Sequence, residues 1–298
     1  MRLLYAIIYQ PQINYVLRNI NFTLRHILPK SIRLNPSGKL RLRIKNKTTL
    51  RLHTNQTSHI TKELFWNGSE HYEYTQIFSK LIKKADVFFD VGASIGYYSV
   101  LAGKSNPNIR THSFEPARGS AIYLEKNIKE NQLSLNTSLA LMPLSNRCDQ
   151  IAFNEVQNPK YPTTYNLSGE HNLGTKTLTK TTIYKLNTST IDLYCQEHKI
   201  DIVDLIKIDT EGSEHLILEG GLQIITKRKP IIICETLYSK IEAQLEDIMK
   251  PLGYEFYNHI GGIRLEKVVT IKRSSDNGVR NCFFVHPSKL NHIKEFIA

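Results

Sequence analysis

Val87–Ser99 reads VFFDVGASIGYYS and combines three kinds of local structure. Its apolar, β-branched and aromatic start predicts a buried parallel strand. An acid, Asp90, stands near the end of this strand, and Gly92 and Gly96 follow before a segment that favours a helix up to Lys104. Glycine permits backbone conformations that other residues avoid. The stretch therefore predicts a strand, a tight turn and a helix, and open α/β sheets bind their ligands at such turns.

The sequence of this turn does not match two common phosphate-binding loops. Dinucleotide sites need GxGxxG, and phosphate loops need GxxxxGK followed by Ser or Thr. Here the acid comes first, as Asp90-x-Gly92-x-x-x-Gly96. A carboxylate at the strand end suits a cationic or hydroxyl-bearing ligand better than a diphosphate. A purely structural glycine turn in some other α/β protein is the alternative.

A second acid follows the next predicted strand. Glu115 comes directly after Thr111–Phe114, about twenty residues beyond the turn, which is the offset of the ribose-binding acid in dinucleotide enzymes. We therefore expect Glu115 to accept hydrogen bonds from the ribose hydroxyls of a nucleoside. A solvated loop acid is the alternative.

The most distinctive string is IKIDTEGSEH, at Ile206–His215. A predicted buried strand ends there in Asp209 and Glu211, and the neighbouring predicted strand, Pro230–Cys234, is followed by Glu235. Clustered like charges repel and shift each other's pKa, so function explains this cluster better than stability does. Capping of the following helix by Asp209 or Glu211 is the alternative.

Strands and helices alternate from Val87 onward, which indicates a parallel sheet. Seven main strands are predicted, at Val87–Val91, Thr111–Phe114, Ser138–Met142, Val203–Ile208, Pro230–Cys234, Tyr254–Asn258 and Cys282–His286. The predicted fold class is α/β, a Rossmann-like doubly wound, seven-stranded and mostly parallel sheet. In such a sheet Val203–Ile208 lies beside the first strand, so Asp209, Glu211 and the turn after Asp90 would face one crevice.

A polar insertion, Asn158–Lys180, lies between two extra predicted strands, Gln150–Val156 and Thr181–Leu186. Irregular loops of this length in compact domains are usually functional or mobile. We therefore predict a substrate lid that carries His171.

Positive charge is concentrated at one end of the chain. Residues 1–62 hold twelve of the 39 Lys and Arg residues and no Asp or Glu, so the remainder carries 27 basic and 27 acidic residues. This asymmetry suggests an anionic partner, either a membrane surface or a nucleic acid, with a solvated basic face as the alternative. We predict one or two helices within residues 3–28, a β-hairpin from Leu40–Ile44 and Leu50–Leu52, and a linker at Glu63–Gly68.

Two regions follow from this organisation: a basic N-terminal extension at 1–62 and a Rossmann-like domain at 63–298. The four cysteines show no CxxC spacing, which fits a reduced, cytosolic chain. No signal peptide is convincing, and no apolar run is long enough for a membrane span. We expect a cytoplasmic protein, with peripheral attachment to the inner face of the membrane as an option for the basic arm.

Four strings together resemble the FkbM family of S-adenosylmethionine-dependent methyltransferases. They are DVGASIGYYS at 90–99, FEP at 114–116, LIKIDTEGSE at 205–214 and PIIICE at 230–235. The resemblance covers about residues 85–260 and leaves the basic extension outside. Ser94 departs from the family's usual Asn but keeps a small polar side chain.

The resemblance implies a class I methyltransferase that uses S-adenosyl-L-methionine to methylate a hydroxyl of a sugar, a polysaccharide or a secondary metabolite. Gly92 and Gly96 would let the backbone close on the methionine moiety, and Asp90 would fix the loop or the amino group. The predicted cofactor-binding residues are Asp90, Gly92, Ser94, Gly96, Glu115, Leu144, Ser145 and Asp209, with Leu144 and Ser145 near the adenine.

Methylation of an alkyl hydroxyl needs a base, because the hydroxyl is a weak acid. The candidates are Asp209, Glu211, His215 and His171, although either histidine fits a solvated or core position equally well. The acids also offer oxygen ligands to a divalent metal. No ligand spacing demands one, and we expect none.

Two further classes of function stay open. A nucleic-acid methyltransferase would use the basic arm as a phosphate clamp. However, the strand end reads DTEG rather than the Asn/Asp-Pro-Pro-aromatic string of amino-directed base methylation, and no Pro-Cys pair suits cytosine C5 methylation. A non-catalytic module would bind the cofactor without turnover. The sequence leaves the acceptor and the oligomeric state open.

Overall fold

The computed structural model describes residues 2–44, 48–168 and 181–298. The strands are β1 (Gly38–Arg43), β2 (Thr49–Thr54), β3 (Val87–Val91), β4 (Arg110–Phe114), β5 (Thr137–Ala140), β6 (Gln150–Val156), β7 (Thr181–Asn187), β8 (Leu205–Ile208), β9 (Ile231–Glu235), β10 (Glu255–His259), β11 (Leu265–Val268) and β12 (Asn281–Val285). The helices are α1 (Arg2–Ile8), α2 (Pro11–Thr23), α3 (His59–Asn67), α4 (Thr75–Leu81), α5 (Tyr97–Ser105), α6 (Arg118–Glu130), α7 (Ile191–Glu197), α8 (Glu214–Glu219), α9 (Leu222–Arg228) and α10 (Glu242–Met249).

An eight-stranded sheet in the order β11-β10-β12-β9-β8-β3-β4-β5 organises the described residues. β5, β4, β3, β8 and β9 pair in parallel, whereas β12 runs antiparallel to both β9 and β10. The chain passes from β3 to β4 and β5 on one side and returns to β8 on the other. The order therefore reverses between β3 and β8, which confirms the predicted doubly wound sheet and its switch point.

All seven predicted strands are present, and β11 is an eighth that the sequence analysis missed. It has four residues and pairs antiparallel with β10 at the edge of the sheet. Because only Leu265 of this strand is buried, it lacks the apolar run that marked the others. The predicted linker at Glu63–Gly68 is wrong, since α3 continues to Asn67.

Both faces of the sheet are covered, so β3 is buried at every position. Phe88 belongs to a hydrophobic cluster on one face together with Leu205, and Phe89 belongs to the cluster on the other face together with Ile206. This two-sided burial explains why the strand is continuously apolar rather than alternating.

The predicted hairpin of the N-terminal extension is confirmed as β1 and β2. Its apolar face contributes Leu40, Leu42, Leu50 and Leu52 to the cluster that contains Phe88. The basic side chains of β1 lie on the opposite, exposed face. The boundary predicted at residue 62 stays a prediction, although the leucines of the hairpin share this core.

The two extra strands predicted on either side of the insertion are present as β6 and β7, and they pair with each other in a separate two-stranded antiparallel sheet. The insertion between them is described up to Ser168, and His171 lies outside the described residues. No helix among the described residues is long and apolar enough to cross a membrane.

Candidate active site

The register of the sheet brings four strand ends to one edge. Val91 pairs with Phe114 of β4 on one side and with Ile208 of β8 on the other, and Ile208 pairs with Cys234 of β9. The residues that follow these positions are Gly92, Glu115, Asp209 and Glu235. In parallel strands the carboxyl ends share an edge, so this register places the turn and three acids together.

Close packing shapes the turn after β3. Gly92 and Gly96 both have positive φ, at 73° and 83°. A Cβ atom on Gly92 would lie 1.9 Å from the carbonyl oxygen of Asp209, and one on Gly96 would lie 2.4 Å from Cδ1 of Leu124. The sequence predicts that Gly92 lets a ligand approach closely and that Gly96 lets the start of the helix pack near the strand. The structure adds that backbone of the neighbouring strand end and a side chain of α6 occupy the space that a side chain would need.

Glu115 is tied to the same turn by its carboxylate. Oε2 accepts a hydrogen bond from the backbone N–H of Ser94 (2.7 Å), and Oε1 accepts one from the N–H of Ala117 (2.8 Å). Burial raises the pKa of Glu115 to about 7, although these two hydrogen bonds oppose the rise. A carboxylate has further lone pairs, so each oxygen can still accept a bond from a ligand.

A cavity of about 710 Å³ opens at this edge of the sheet. Its wall includes residues that were predicted to bind the cofactor and residues that were predicted as bases. They are Gly92, Ser94, Glu115, Leu144, Ser145, Asp209 and Glu211. The crevice predicted from the strand order is therefore present. Its volume is in the range of pockets that hold nucleoside-sized ligands.

Three of the predicted site residues that the structure describes are not part of this wall. Asp90 is buried, and its Oδ2 accepts a hydrogen bond from Ser99 Oγ (2.5 Å), which joins the end of β3 to α5. Gly96 contacts α6. His215 lies partly buried on α8 and is not part of the wall, although Ser213 and Leu216 on either side of it line the cavity.

Lys207 carries a buried positive charge among the acids. No role for this residue was predicted from the sequence. Its Nζ lies 3.3 Å from Asp209 Oδ2 and 3.8 Å from Asp90 Oδ1, and it donates a hydrogen bond to the carbonyl oxygen of Gly92 (3.3 Å). Burial lowers the pKa of Lys207, but the carboxylates of Asp209, Asp90 and Glu73 outweigh burial and raise it. The signal was available, because a lysine interrupts an otherwise apolar buried strand.

Glu73 is a second residue that the sequence analysis missed. It lines the cavity, has a positive φ of 40°, and accepts a hydrogen bond from the hydroxyl of Tyr98 at Oε2 (2.8 Å). Burial, followed by the negative charge of Asp209, raises the pKa of Glu73 to about 7. Backbone strain of this kind clusters at functional sites. No motif or periodicity marks this position, because Glu73 precedes α4 and enters the site only through packing.

Glu235, which follows β9, is a further buried acid of the site. Burial, together with the charges of Asp209 and Glu211, raises the pKa of Glu235 to about 10. Its Oε2 is buried and has no hydrogen-bond partner among the described residues. Oxygens of Asp209, Glu211 and Glu235 lie within 4.8 Å of one another. A raised pKa favours the protonated form of Glu235, which carries an O–H donor.

The chain matches the family described as "Methyltransferase FkbM domain" over residues 90–256, which is more than half of its length. This chain belongs to the FkbM family of methyltransferases. The doubly wound sheet of this FkbM protein is the class I methyltransferase fold. A search of curated proteins found no match.

Several solved methyltransferases are similar to the FkbM protein. Methyltransferase FkbM from Methylobacillus flagellatus is 15% identical with a TM-score of 0.44, over 70% of this chain and 48% of that one. The chain thus spans about half the length of that protein. Precorrin-6y C5,15-methyltransferase from Geobacter metallireducens is 13% identical with a TM-score of 0.41, over 72% and 87%. A SAM-dependent methyltransferase from Agrobacterium tumefaciens is 8% identical with a TM-score of 0.43, over 84% and 71%. At these values the likenesses carry no functional argument.

Proposed function

We propose that this FkbM protein transfers a methyl group from S-adenosyl-L-methionine to a hydroxyl oxygen of a sugar, polysaccharide or secondary-metabolite acceptor. The observation that supports the proposal is one continuous cavity. It joins the glycine turn and Glu115, which suit a nucleoside, to Asp209 and Glu73, which suit the removal of a proton. Cofactor and acceptor therefore have one space in which to meet.

The residues around the turn fit this cofactor. Ser94 Oγ is buried without a hydrogen-bond partner among the described residues, and Ser94 lines the cavity. Glu115 keeps acceptor capacity for ribose hydroxyls. Leu144 and Ser145 lie on the same wall, where the adenine is expected. The acids at the strand ends complement the positive sulfonium of the cofactor.

S-adenosyl-L-methionine supplies an activated methyl group, so the residues of the chain have to align the acceptor oxygen and take up its proton. Glu73, Asp209 and Glu211 are carboxyl groups of the cavity wall that we propose as acceptors of this proton. Glu73 has the raised pKa that suits a base near neutral pH, whereas Asp209 shares its charge with Lys207 at 3.3 Å. In its protonated form, which its raised pKa favours, Glu235 can orient the acceptor by donating a hydrogen bond.

Calorimetry on the full chain tests the cofactor site. We expect wild-type protein to bind S-adenosyl-L-methionine and Glu115→Ala to bind it at least about tenfold more weakly, which corresponds to 1.4 kcal/mol. Glu266→Ala is the matched control, because Glu266 is an exposed acid on the edge strand β11. Melting temperatures of both variants verify folding. Absence of binding by folded wild-type protein would overturn the proposal.

Release of S-adenosylhomocysteine across a panel of hydroxylated acceptors tests the reaction, with the same acceptors blocked at their hydroxyls as controls. We expect turnover only with free hydroxyls and an O-methyl product by NMR. Methylated RNA or DNA would instead identify a nucleic-acid methyltransferase. Cofactor binding without turnover on any acceptor class would favour the non-catalytic module.

A further inference from the structure

Helix α2 carries polar side chains inward and apolar side chains outward, which is the reverse of an ordinary surface helix. Asn14, Arg18 and Asn21 follow the spacing of one helical face and are only 0%, 2% and 8% exposed. Val16 and Ile20 are 55% and 53% exposed. Burying polar groups while apolar groups face water is unfavourable unless each side has a partner.

The inward face has its partners in the backbone that follows α2. Arg18 donates hydrogen bonds to the carbonyl oxygens of Ser37 (2.8 Å) and Lys39 (2.7 Å). The N–H of Ser37 donates to Asn14 Oδ1 (2.7 Å), and Asn14 Nδ2 donates to the carbonyl oxygen of Asn35 (3.1 Å). Rotating the helix to bury its apolar face would leave these groups unsatisfied. The orientation of α2 is therefore fixed by its polar face.

The outward face consists of large apolar side chains on α1, on α2 and at the residue that follows α2, and they are 39–60% exposed: Leu4, Ile7, Tyr15, Val16, Ile20 and Leu24. On α2, Val16 and Ile20 are four positions apart and share one face, and Leu24 follows four positions later at the end of the helix. Apolar surface that is exposed and contiguous on a helix marks an interaction site. We call these six residues the outward face.

The part of the chain that carries the outward face is rich in positive charge. Lys160 Nζ lies 4.4 Å from the ring centroid of Tyr5 on α1, and the guanidinium of Arg25 lies 4.3 Å from that of Phe22 on α2. Lys30 is exposed just beyond α2. Residues 1–62 contain no acid that could repel an anion. Helices that lie in a membrane surface combine an apolar stripe with flanking cations, which attract anionic headgroups.

We infer that the outward face docks onto an anionic lipid bilayer, with its apolar side chains at the boundary between headgroups and acyl chains. The buried network of Asn14 and Arg18 holds these side chains in place before docking. Lysine and arginine next to the face contribute the charge-dependent part of the attachment. This inference is independent of the proposed reaction, because none of the six residues lines the cavity.

Vesicle flotation of the full chain tests the inference, with phosphatidylcholine vesicles that contain or lack phosphatidylglycerol. We expect wild-type protein to bind the anionic vesicles, less so at high salt. Val16→Glu/Ile20→Glu should weaken this binding by at least about tenfold. The matched control is Leu135→Glu/Val269→Glu, which adds the same charge at side chains that are 100% and 88% exposed elsewhere. The control should bind as wild-type protein does.

Several results would overturn the inference. The first is that wild-type protein does not bind anionic vesicles, and the second is that it binds neutral vesicles equally well. The third is that the test and control variants lose the same amount of vesicle binding. Light scattering provides a further check. If wild-type protein does not bind vesicles but forms a dimer, and Val16→Glu/Ile20→Glu dissociates that dimer, then the outward face binds a second copy of the chain. Melting temperature and cofactor binding of the variant verify its fold, so a failure here is distinguishable from a failure of the proposed function.

Discussion

The buried positive charge of Lys207 interacts favourably with the carboxylates of Asp209, Asp90 and Glu73. Replacing it by methionine leaves Asp90 buried without a cation, so we expect Lys207→Met to lower the free energy of unfolding by about 3–5 kcal/mol. Burial already raises the pKa of Asp90, and Lys207 opposes that rise. A carboxyl whose pKa is higher in the folded than in the unfolded protein lowers the free energy of unfolding once the pH exceeds its pKa in the unfolded protein. The loss should therefore be larger at pH 8 than at pH 5.

Urea unfolding at both pH values measures this loss. Lys267→Met is the control, because Lys267 forms an exposed ion pair with Glu255 (2.7 Å). Such pairs contribute about 0–1 kcal/mol. Equal effects of the two substitutions, or a pH-independent loss for Lys207→Met, would contradict a buried charge network.

Glu73 has a pKa raised to about 7, first by burial and then by Asp209. A base must be deprotonated to act, so the kcat of wild-type protein should fall as the pH drops below about 7 and level off above it. Glu73→Gln should lower kcat by about 10²-fold or more and remove this pH dependence. Initial rates of S-adenosylhomocysteine release against pH measure both effects.

Glu70→Gln is the control for this experiment, because Glu70 is a nearby acid on the surface. It should leave kcat and the pH profile unchanged. If Glu73→Gln binds the cofactor as tightly as wild-type protein does, the site has kept its shape, and the lower kcat reflects the loss of proton transfer. If Glu73→Gln kept the rate and profile of wild-type protein, Glu73 would not be the base, and Asp209 and Glu211, which also line the cavity, would be the next carboxylates to replace.

At the scale of elements, α6 covers the free edge of β2 with two side chains one turn apart. Asn127 Oδ1 accepts from the N–H of His53 (2.5 Å), and its Nδ2 donates to the carbonyl oxygens of His53 (3.2 Å) and Ile95 (2.8 Å). Asn131 makes the equivalent pair of bonds with Arg51, at 3.1 and 2.6 Å. These amides take the place of a neighbouring strand at an otherwise open edge.

Asn127→Ala should lower the free energy of unfolding by about 2–4 kcal/mol, because it leaves buried backbone groups without partners. Chemical denaturation measures the change. Asn136→Ala is the control, since Asn136 makes one exposed hydrogen bond to Pro107 (2.8 Å), and it should cost less than about 1 kcal/mol. Equal costs for the two substitutions would show that Asn127 does not hold the edge of β2.

At the scale of the whole molecule, the N-terminal hairpin and the central sheet share one hydrophobic cluster. Leu50 is fully buried in it, so we expect Leu50→Ala to cost about 2–5 kcal/mol. We expect the whole chain to unfold in one transition, and Leu50→Ala should shift that transition rather than a separate transition of the extension. Leu135→Ala, at a fully exposed leucine, is the control.

Two probes distinguish these outcomes. Trp66 is the only tryptophan and packs against Phe22 of α2, so its fluorescence reports the junction with the extension. Far-ultraviolet circular dichroism reports the secondary structure of the whole chain. Coincident transitions indicate one cooperative unit, and separate transitions would establish the extension as an independently folding part.

Much of the fold followed from local patterns. The apolar run before Asp90, the glycine turn and the string ending in Asp209 are contiguous in sequence, and strand order follows from the alternation of strands and helices. β11 and α3 were missed, because neither has a periodic apolar pattern strong enough to set it apart. Gly92, Glu115 and Asp209 were placed at one site because they follow neighbouring parallel strands.

The sequence by itself determined the family, the doubly wound sheet and the strand ends at which a ligand site can form, because these depend on short contiguous patterns. Only the tertiary structure decided that Lys207 faces three acids, that Glu73 joins the cavity and that α2 turns its apolar side outward. Each of these depends on contacts between residues far apart in the chain. Local periodicity shows that a helix has two faces, but the hydrogen bonds between Asn14 and Ser37 decide which face meets the solvent.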